Sequence, residues 1–131
     1  MIDLGQKIGR TFKGGEILEM RGDVGAGKTT LTKGIAKGLD IEEPIQSPTF
    51  TISRVYVARD GLRLSHYDFY RLQDAGIMAT ELDEVIGDKQ NITIVEWAEV
   101  VAGVLPDDRV VVSIRPTDSD GRIVDIEGIS I

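Results

Sequence analysis

Gly22-Asp23-Val24-Gly25-Ala26-Gly27-Lys28-Thr29-Thr30 is the stretch from which the fold is read. Gly22, Gly27, Lys28 and Thr29 occupy every fixed position of G-x-x-x-x-G-K-[ST], the phosphate-binding P-loop. Each residue type has a physical task there. Glycines let the backbone curl so that successive N–H groups converge on an anion. The Lys28 ammonium can reach outer phosphates, and the Thr29 hydroxyl suits Mg²⁺. A helix beginning at Thr29 would aim its free N–H groups and the positive end of its dipole at the same place.

The flanks supply the context that the loop needs. Ile17-Leu18-Glu19-Met20 reads as a short strand, and Leu31, Ile35 and Leu39 keep the four-residue spacing of one apolar helix face. Strand, glycine-rich loop and helix follow in the order the mechanism requires. Lys33 and Lys37 fall on the opposite face of that helix, as a solvated edge or a small basic strip.

Outward from this unit, residues 2–12 read as an amphipathic helix through Leu4, Ile8 and Phe12, broken by Gly14-Gly15. Residues 40–48 are a loop, because Pro44 and Pro48 exclude a regular helix. Residues 49–58 are rich in β-formers, Asp60-Gly61 is a two-residue hairpin signal, and 62–69 returns as a strand. A short helix is expected from about Glu81 to Ile86. Ile92-Thr93-Ile94-Val95 has the unbroken apolar character of a strand buried on both faces. A helical or turn segment at 98–104, a strand at 110–114, a turn at 118–121 and a last strand at 122–126 complete the chain. The pattern predicts an α/β fold of the P-loop NTPase kind. Its mostly parallel central sheet is extended by antiparallel hairpins and covered by helices on both faces.

Composition narrows the function classes. A chain of 131 residues has the size of one domain, here 1–131, large enough for an ordinary core. It has no cysteine, which excludes a disulfide framework and a thiolate metal site. Fifteen basic and 22 acidic residues leave a net charge of −7, so bulk electrostatics will not gather nucleic acid. No apolar run approaches a membrane span and no signal-peptide pattern opens the chain; a cytoplasmic protein is expected.

A phosphate cradle also needs groups for the metal and for an attacking water. Glu96 ends the strand 92–95, and Asp68 lies near the end of 62–69. Carboxylates at strand ends reach the crevice where open α/β sheets bind ligands. Spacing alone does not decide which holds Mg²⁺ and which orients water. Thr49, in Ser47-Pro48-Thr49, is a candidate sensor of the outer phosphate or a plain turn residue. His66, the single histidine, shares a strand face with Asp68 and is either a site residue or a structural one. Trp97, the single tryptophan, is either core or a stacking surface for a base. Arg54 and Arg71 are candidates for a cation facing the phosphates.

Four motifs in order, Gly-Asp-x-Gly-Ala-Gly-Lys-Thr-Thr at 22–30, Ser-Pro-Thr-Phe at 47–50, His-Tyr-Asp-Phe-Tyr-Arg-Leu at 66–72 and Val-Glu-Trp at 95–97, resemble the bacterial TsaE/YjeE ATPases. That family is the ATPase of the machinery that makes threonylcarbamoyladenosine beside the anticodon of tRNAs reading ANN codons. The resemblance implies nucleotide contacts from Asp23, Val24, Gly25, Ala26, Gly27, Lys28, Thr29 and Thr30, and Mg²⁺ at Thr29 and Glu96. It implies switch segments at 47–50 and 66–71, with Asp68 important for hydrolysis. Trp97 would flank the base, and Arg122 is similar to an arginine that approaches the nucleotide. ATP rather than GTP is implied in the same way. So is slow intrinsic turnover, and so are two paralogous partners of the TsaB and TsaD type, whose transferase complex the ATPase resets; any contact with tRNA would be indirect. One departure accompanies the likeness: family members usually carry more residues before the first helix, including a nucleotide contact, whereas here Met1 almost opens it.

Other classes fit less well. A regulatory GTPase would need Asn-Lys-x-Asp near a late strand, and the sequence has none. A small-molecule kinase needs an acceptor pocket and a lid, for which about 100 residues after the loop leave little room. A nucleotide-dependent binding module without significant turnover is the alternative from a different class.

Overall fold

The computed structural model describes residues 1–22, 27–46, 53–70, 76–119 and 121–129. Among the described residues are three α-helices, α1 (Ile2–Thr11), α2 (Lys28–Gly38) and α3 (Ile77–Ile86), and six strands. The strands are β1 (Ile17–Arg21), β2 (Ser53–Val57), β3 (Arg63–Asp68), β4 (Asn91–Glu96), β5 (Val110–Pro116) and β6 (Arg122–Glu127). They form one sheet in the order β2-β3-β4-β1-β5-β6. β3, β4, β1 and β5 are mutually parallel, while β2 and β6 close the two edges as antiparallel partners of β3 and β5. The expected parallel centre with antiparallel extensions is what the chain builds.

Alternation along the strands sorts side chains onto two faces. On one face Leu18, Met20, Leu64, Ile92, Ile94 and Val112 pack against Ile8 and Phe12, against Leu31 and Ile35 of α2 and against Leu39 just past its end. On the other, Ile17, Tyr67 and Val95 pack against Leu82 of α3 and against Ala98, Val101 and Leu105. Every residue of β4 is buried, as its unbroken apolar run requires. Lys33 and Lys37 are exposed, so the polar face of α2 is the solvated one.

α1 and α2 meet at unusually close range. A methyl group built on Gly34 would lie 2.4 Å from the Ile2 carbonyl, and one on Gly5 would lie 2.5 Å from the Leu31 carbonyl. Gly9 and Gly38 repeat the relation one turn further on, at 2.3 Å and 2.4 Å. Backbones approach this closely only where neither helix carries a Cβ at the crossing. The P-loop helix is therefore seated on α1 by its main chain as well as by its apolar stripe.

Several boundaries differ from the pattern-based expectation. Phe12 lies one residue past the end of α1 in extended conformation yet remains core. The strand expected over 49–58 is observed as Ser53–Val57; residues 49–52 lie outside the described set. Asp60 and Gly61 both take positive φ, 57° and 76°, and Leu62 N–H donates to the Arg59 carbonyl at 2.9 Å, the two-residue turn expected there. α3 begins at Ile77, four residues before the expected start.

Candidate nucleotide site at the start of α2

The C-terminal ends of β1, β3 and β4 converge below the N-terminus of α2. Gly27 caps that helix at φ 106°, ψ 11°, a left-handed conformation suited to glycine. Lys28 opens the helix and, although charged, is only 6% exposed. Its Nζ lies 3.5 Å from Glu96 Oε1 and 4.2 Å from the centre of the Trp97 ring. A buried ammonium requires such compensation, from a carboxylate and an aromatic face together. Thr32, one turn on, donates its hydroxyl to the Lys28 carbonyl at 2.9 Å and ties the first turn together.

Glu96 is the last residue of β4, 5% exposed, paired in register with Met20 of β1 and with Asp68 of β3. Its second oxygen, Oε2, lies 2.6 Å from His66 Nε2. Burial by itself pushes the Glu96 carboxyl up. The His66 hydrogen bond and the charges on His66 and Lys28 outweigh that and hold it below the ordinary carboxylate range. Glu96 is thus an ionised acceptor, and His66 Nε2–H is the donor.

Asp68 is next to Glu96 across the strand pair and is held differently. Its Oδ1 accepts the Tyr70 N–H at 2.9 Å. Burial pushes its carboxyl up; the Tyr70 hydrogen bond opposes that, and the neighbouring Glu96 charge adds to it. Two adjacent carboxylates are therefore shifted in opposite directions, the pattern that separates a metal-binding or electrostatic role from a proton-accepting one.

Trp97 follows Glu96 with φ 57° and ψ 54°, a left-handed conformation that costs a residue of this size roughly 1–2 kcal/mol. The turn carries its ring over Lys28 and within 4.8 Å of the Tyr70 ring. Trp97 also borders a cleft of about 220 Å³ with Gly22, Met20 and Ala98. It is partly buried and packed beside the α3-side core, which bears out its core reading.

Of the candidate residues, Lys28, Glu96 and Trp97 are in direct contact, and Asp68 stands beside Glu96. Gly27, Thr29 and Thr30 are on the first turn, with both threonines exposed. Arg122 opens β6 at the same end of the sheet but two strands from β1, its guanidinium donating to the Gly121 carbonyl. Arg54 faces His66 across the β2–β3 pair. Asp23, Val24, Gly25, Ala26, Ser47, Pro48, Thr49, Phe50 and Arg71 lie outside the described residues. The His66–Glu96 contact is what pattern reading missed; the two-residue spacing from Asp68 gave its face but not its partner.

Among the described residues no three His, Asp or Glu side chains form a metal cage. The donor set nevertheless fits Mg²⁺, which binds through one or two carboxylates plus waters and phosphate oxygens rather than an all-protein cage. Glu96 and the Thr29 hydroxyl are of that kind.

A P-loop with its lysine beneath a helix N-terminus, at the carboxyl ends of a parallel sheet, defines the P-loop NTPase-like class of α/β fold. Within that class the particular family is also identified. The family model of the threonylcarbamoyl adenosine biosynthesis protein TsaE matches residues 1–124. The chain is 43% identical over 111 residues to the tRNA threonylcarbamoyladenosine biosynthesis protein TsaE of Bacillus subtilis strain 168, covering 84% of this chain and 68% of that one. It is 36% identical over 110 residues to the protein of the same name from Streptomyces coelicolor, covering 83% and 74%. The crystal structure of Bacillus subtilis YdiB superposes with a TM-score of 0.71 at 34% identity, over 94% of this chain and 75% of that one. The chain belongs to the TsaE family. No described helix is long and apolar enough to cross a membrane.

Proposed function

We propose that this chain is a Mg²⁺-dependent ATP-binding protein and slow ATPase. In this reading it serves tRNA threonylcarbamoyladenosine formation in the cytoplasm, where partners of the TsaB and TsaD type activate it and ATP turnover resets their transferase complex. The observation that carries it is the convergence of Lys28, Glu96 and Asp68 at the N-terminus of α2, in a chain whose family serves that modification.

The chain's own groups have distinct tasks. The Lys28 ammonium, which contacts Glu96 and Trp97, turns to the outer phosphates, where it stabilises charge on the transferred phosphoryl group. Glu96, kept ionised by its neighbours, and Thr29 hold the metal, which when bound neutralises phosphate charge. Asp68 orients the attacking water; its raised carboxyl makes it the better proton acceptor of the two. Thr49 lies in the segment assigned to sensing the outer phosphate. Residues 23–27, with Thr30, supply backbone contacts, and Trp97 and Arg122 flank the rest of the nucleotide.

The test is phosphate release with and without purified transferase partners, for the native chain and Lys28→Ala. A rise of at least tenfold on adding partners, abolished by Lys28→Ala, supports the reading. Native turnover in Lys28→Ala overturns the site. Nucleotide binding with no partner-stimulated release would make the chain a nucleotide-dependent binding module instead.

A further inference from the structure

We infer that His66 is the positioning residue that aims Glu96 at its ligand: its Nε2–H holds Oε2, and this leaves Oε1 presented to the start of α2. The inference rests on the nucleotide reading above and assigns a task to a group that reading does not use.

The two oxygens of Glu96 are held unequally. Oε2 has a short, charge-assisted contact with His66 at 2.6 Å, whereas among the described residues Oε1 has the longer 3.5 Å approach of Lys28. The oxygen released when Lys28 turns to a phosphate is therefore Oε1, and Oε2 remains anchored. A carboxylate on a flexible three-bond side chain is useful to a metal only when something fixes its orientation. Partners behind a ligand commonly do this, and losing one costs about 10–100-fold in metal affinity.

His66 is built to be a fixed anchor. It is 2% exposed and sits in β3, which is paired on one side with Arg54 of β2 and on the other with Ile94 of β4. Its other ring nitrogen, Nδ1, is buried with no hydrogen-bond partner among the described residues. Among those residues Glu96 is therefore the one side chain that holds the ring. Arg54 Nε, across the strand pair, is the other buried side-chain nitrogen without a partner among the described residues.

The test compares His66→Leu, which removes the donor at similar volume, with His66→Gln, which keeps an N–H at similar reach. Calorimetric titration with ADP is performed in EDTA and across a Mg²⁺ series. His66→Leu is expected to raise the Mg²⁺ concentration for half-effect by about 10–100-fold. Its metal-free ADP affinity should stay within about threefold, and His66→Gln should restore most of the metal dependence. A native Mg²⁺ dependence in His66→Leu, or a folded His66→Gln as defective as the leucine variant, would overturn the assignment. A second readout needs no nucleotide: long-range ¹H–¹⁵N spectra of the native chain should show a proton on His66 Nε2, its signal shifted in Glu96→Gln. A ring protonated at Nδ1 alone would overturn the assignment. If the native chain bound no nucleotide, the function reading would fail while the ring spectrum still decided this one.

Discussion

The two faces of the sheet are held by different means. On one, α1 and α2 meet main chain to main chain through four glycines, and seven of the eleven residues of α2 are buried. On the other, α3 contributes a single fully buried residue, Leu82, and its first residue, Ile77, is 82% exposed. Glu96, His66 and Asp68 project, by strand alternation, onto the face with the locked helices. The close-packed helix pair thus backs the face that carries these three side chains.

The comparison is tested most strongly by equal truncations on the two faces. Leu31 and Leu82 are both fully buried. Leu31→Ala should cost about 4 kcal/mol, because interlocked helices cannot close around the space left behind. Leu82→Ala should cost about 2.5 kcal/mol, because α3 can settle. Urea midpoints at constant slope measure both, and equal costs would remove the distinction.

A glycine pair sharpens it further. Gly34→Ala drives a methyl group into the Ile2 carbonyl and should cost about 3 kcal/mol. Gly87, at the end of α3, has φ −75° and nothing closer than 3.6 Å to an added methyl. There the same change should stabilise by about 0.5 kcal/mol through the unfolded chain. Thermal melts should therefore move in opposite directions.

The smallest effect concerns pH. The depressed carboxyls of Glu96 and Glu19 contribute stability that is present above the ordinary glutamate range and lost as pH falls through their folded values. At Glu19 burial acts upward, and the Arg21 and Arg109 hydrogen bonds outweigh it. Asp68 has the opposite sign: its raised carboxyl favours the fold at low pH, and that contribution disappears as pH rises through the folded value. Asp68→Asn, which keeps an acceptor for Tyr70 N–H, should gain about 1 kcal/mol at pH 7. The gain should shrink on acidification while phosphate release falls. A pH-independent difference in melting would contradict this account.

The sequence revealed most where one residue's environment is set by its near neighbours. Leu31, Ile35 and Leu39 announce α2, and the run at 92–95 announces a central strand, because burial repeats along the element itself. Lys28 and Glu96 were legible as a motif and as a strand end. What was not legible depends on which elements meet. The spacing of Gly5 and Gly9 acquires meaning only against Gly34 and Gly38, since a four-residue repeat on one helix does not name its partner. Glu19 and Arg109 are bonded across 90 positions with no pattern to connect them. α3 starts early because Gly76, at φ 54°, opens it without a side-chain cap, so the usual start signal is missing. Asp23 to Ala26 and Thr49 remain readings of sequence.

One guanidinium, at the turn between β2 and β3, has a consequence for how the molecule comes apart. Arg59 donates through Nη1 to the Gly38 carbonyl and through Nη2 to the Phe12 carbonyl, each at 2.7 Å, with a longer bond to Gly9. It thereby satisfies the final carbonyls of two separate helices and places a positive charge at both negative dipole ends. Peeling the outer ribbon from the edge of the sheet leaves both helix ends unclasped at once. Fraying at three places in the chain is, in this protein, a single event.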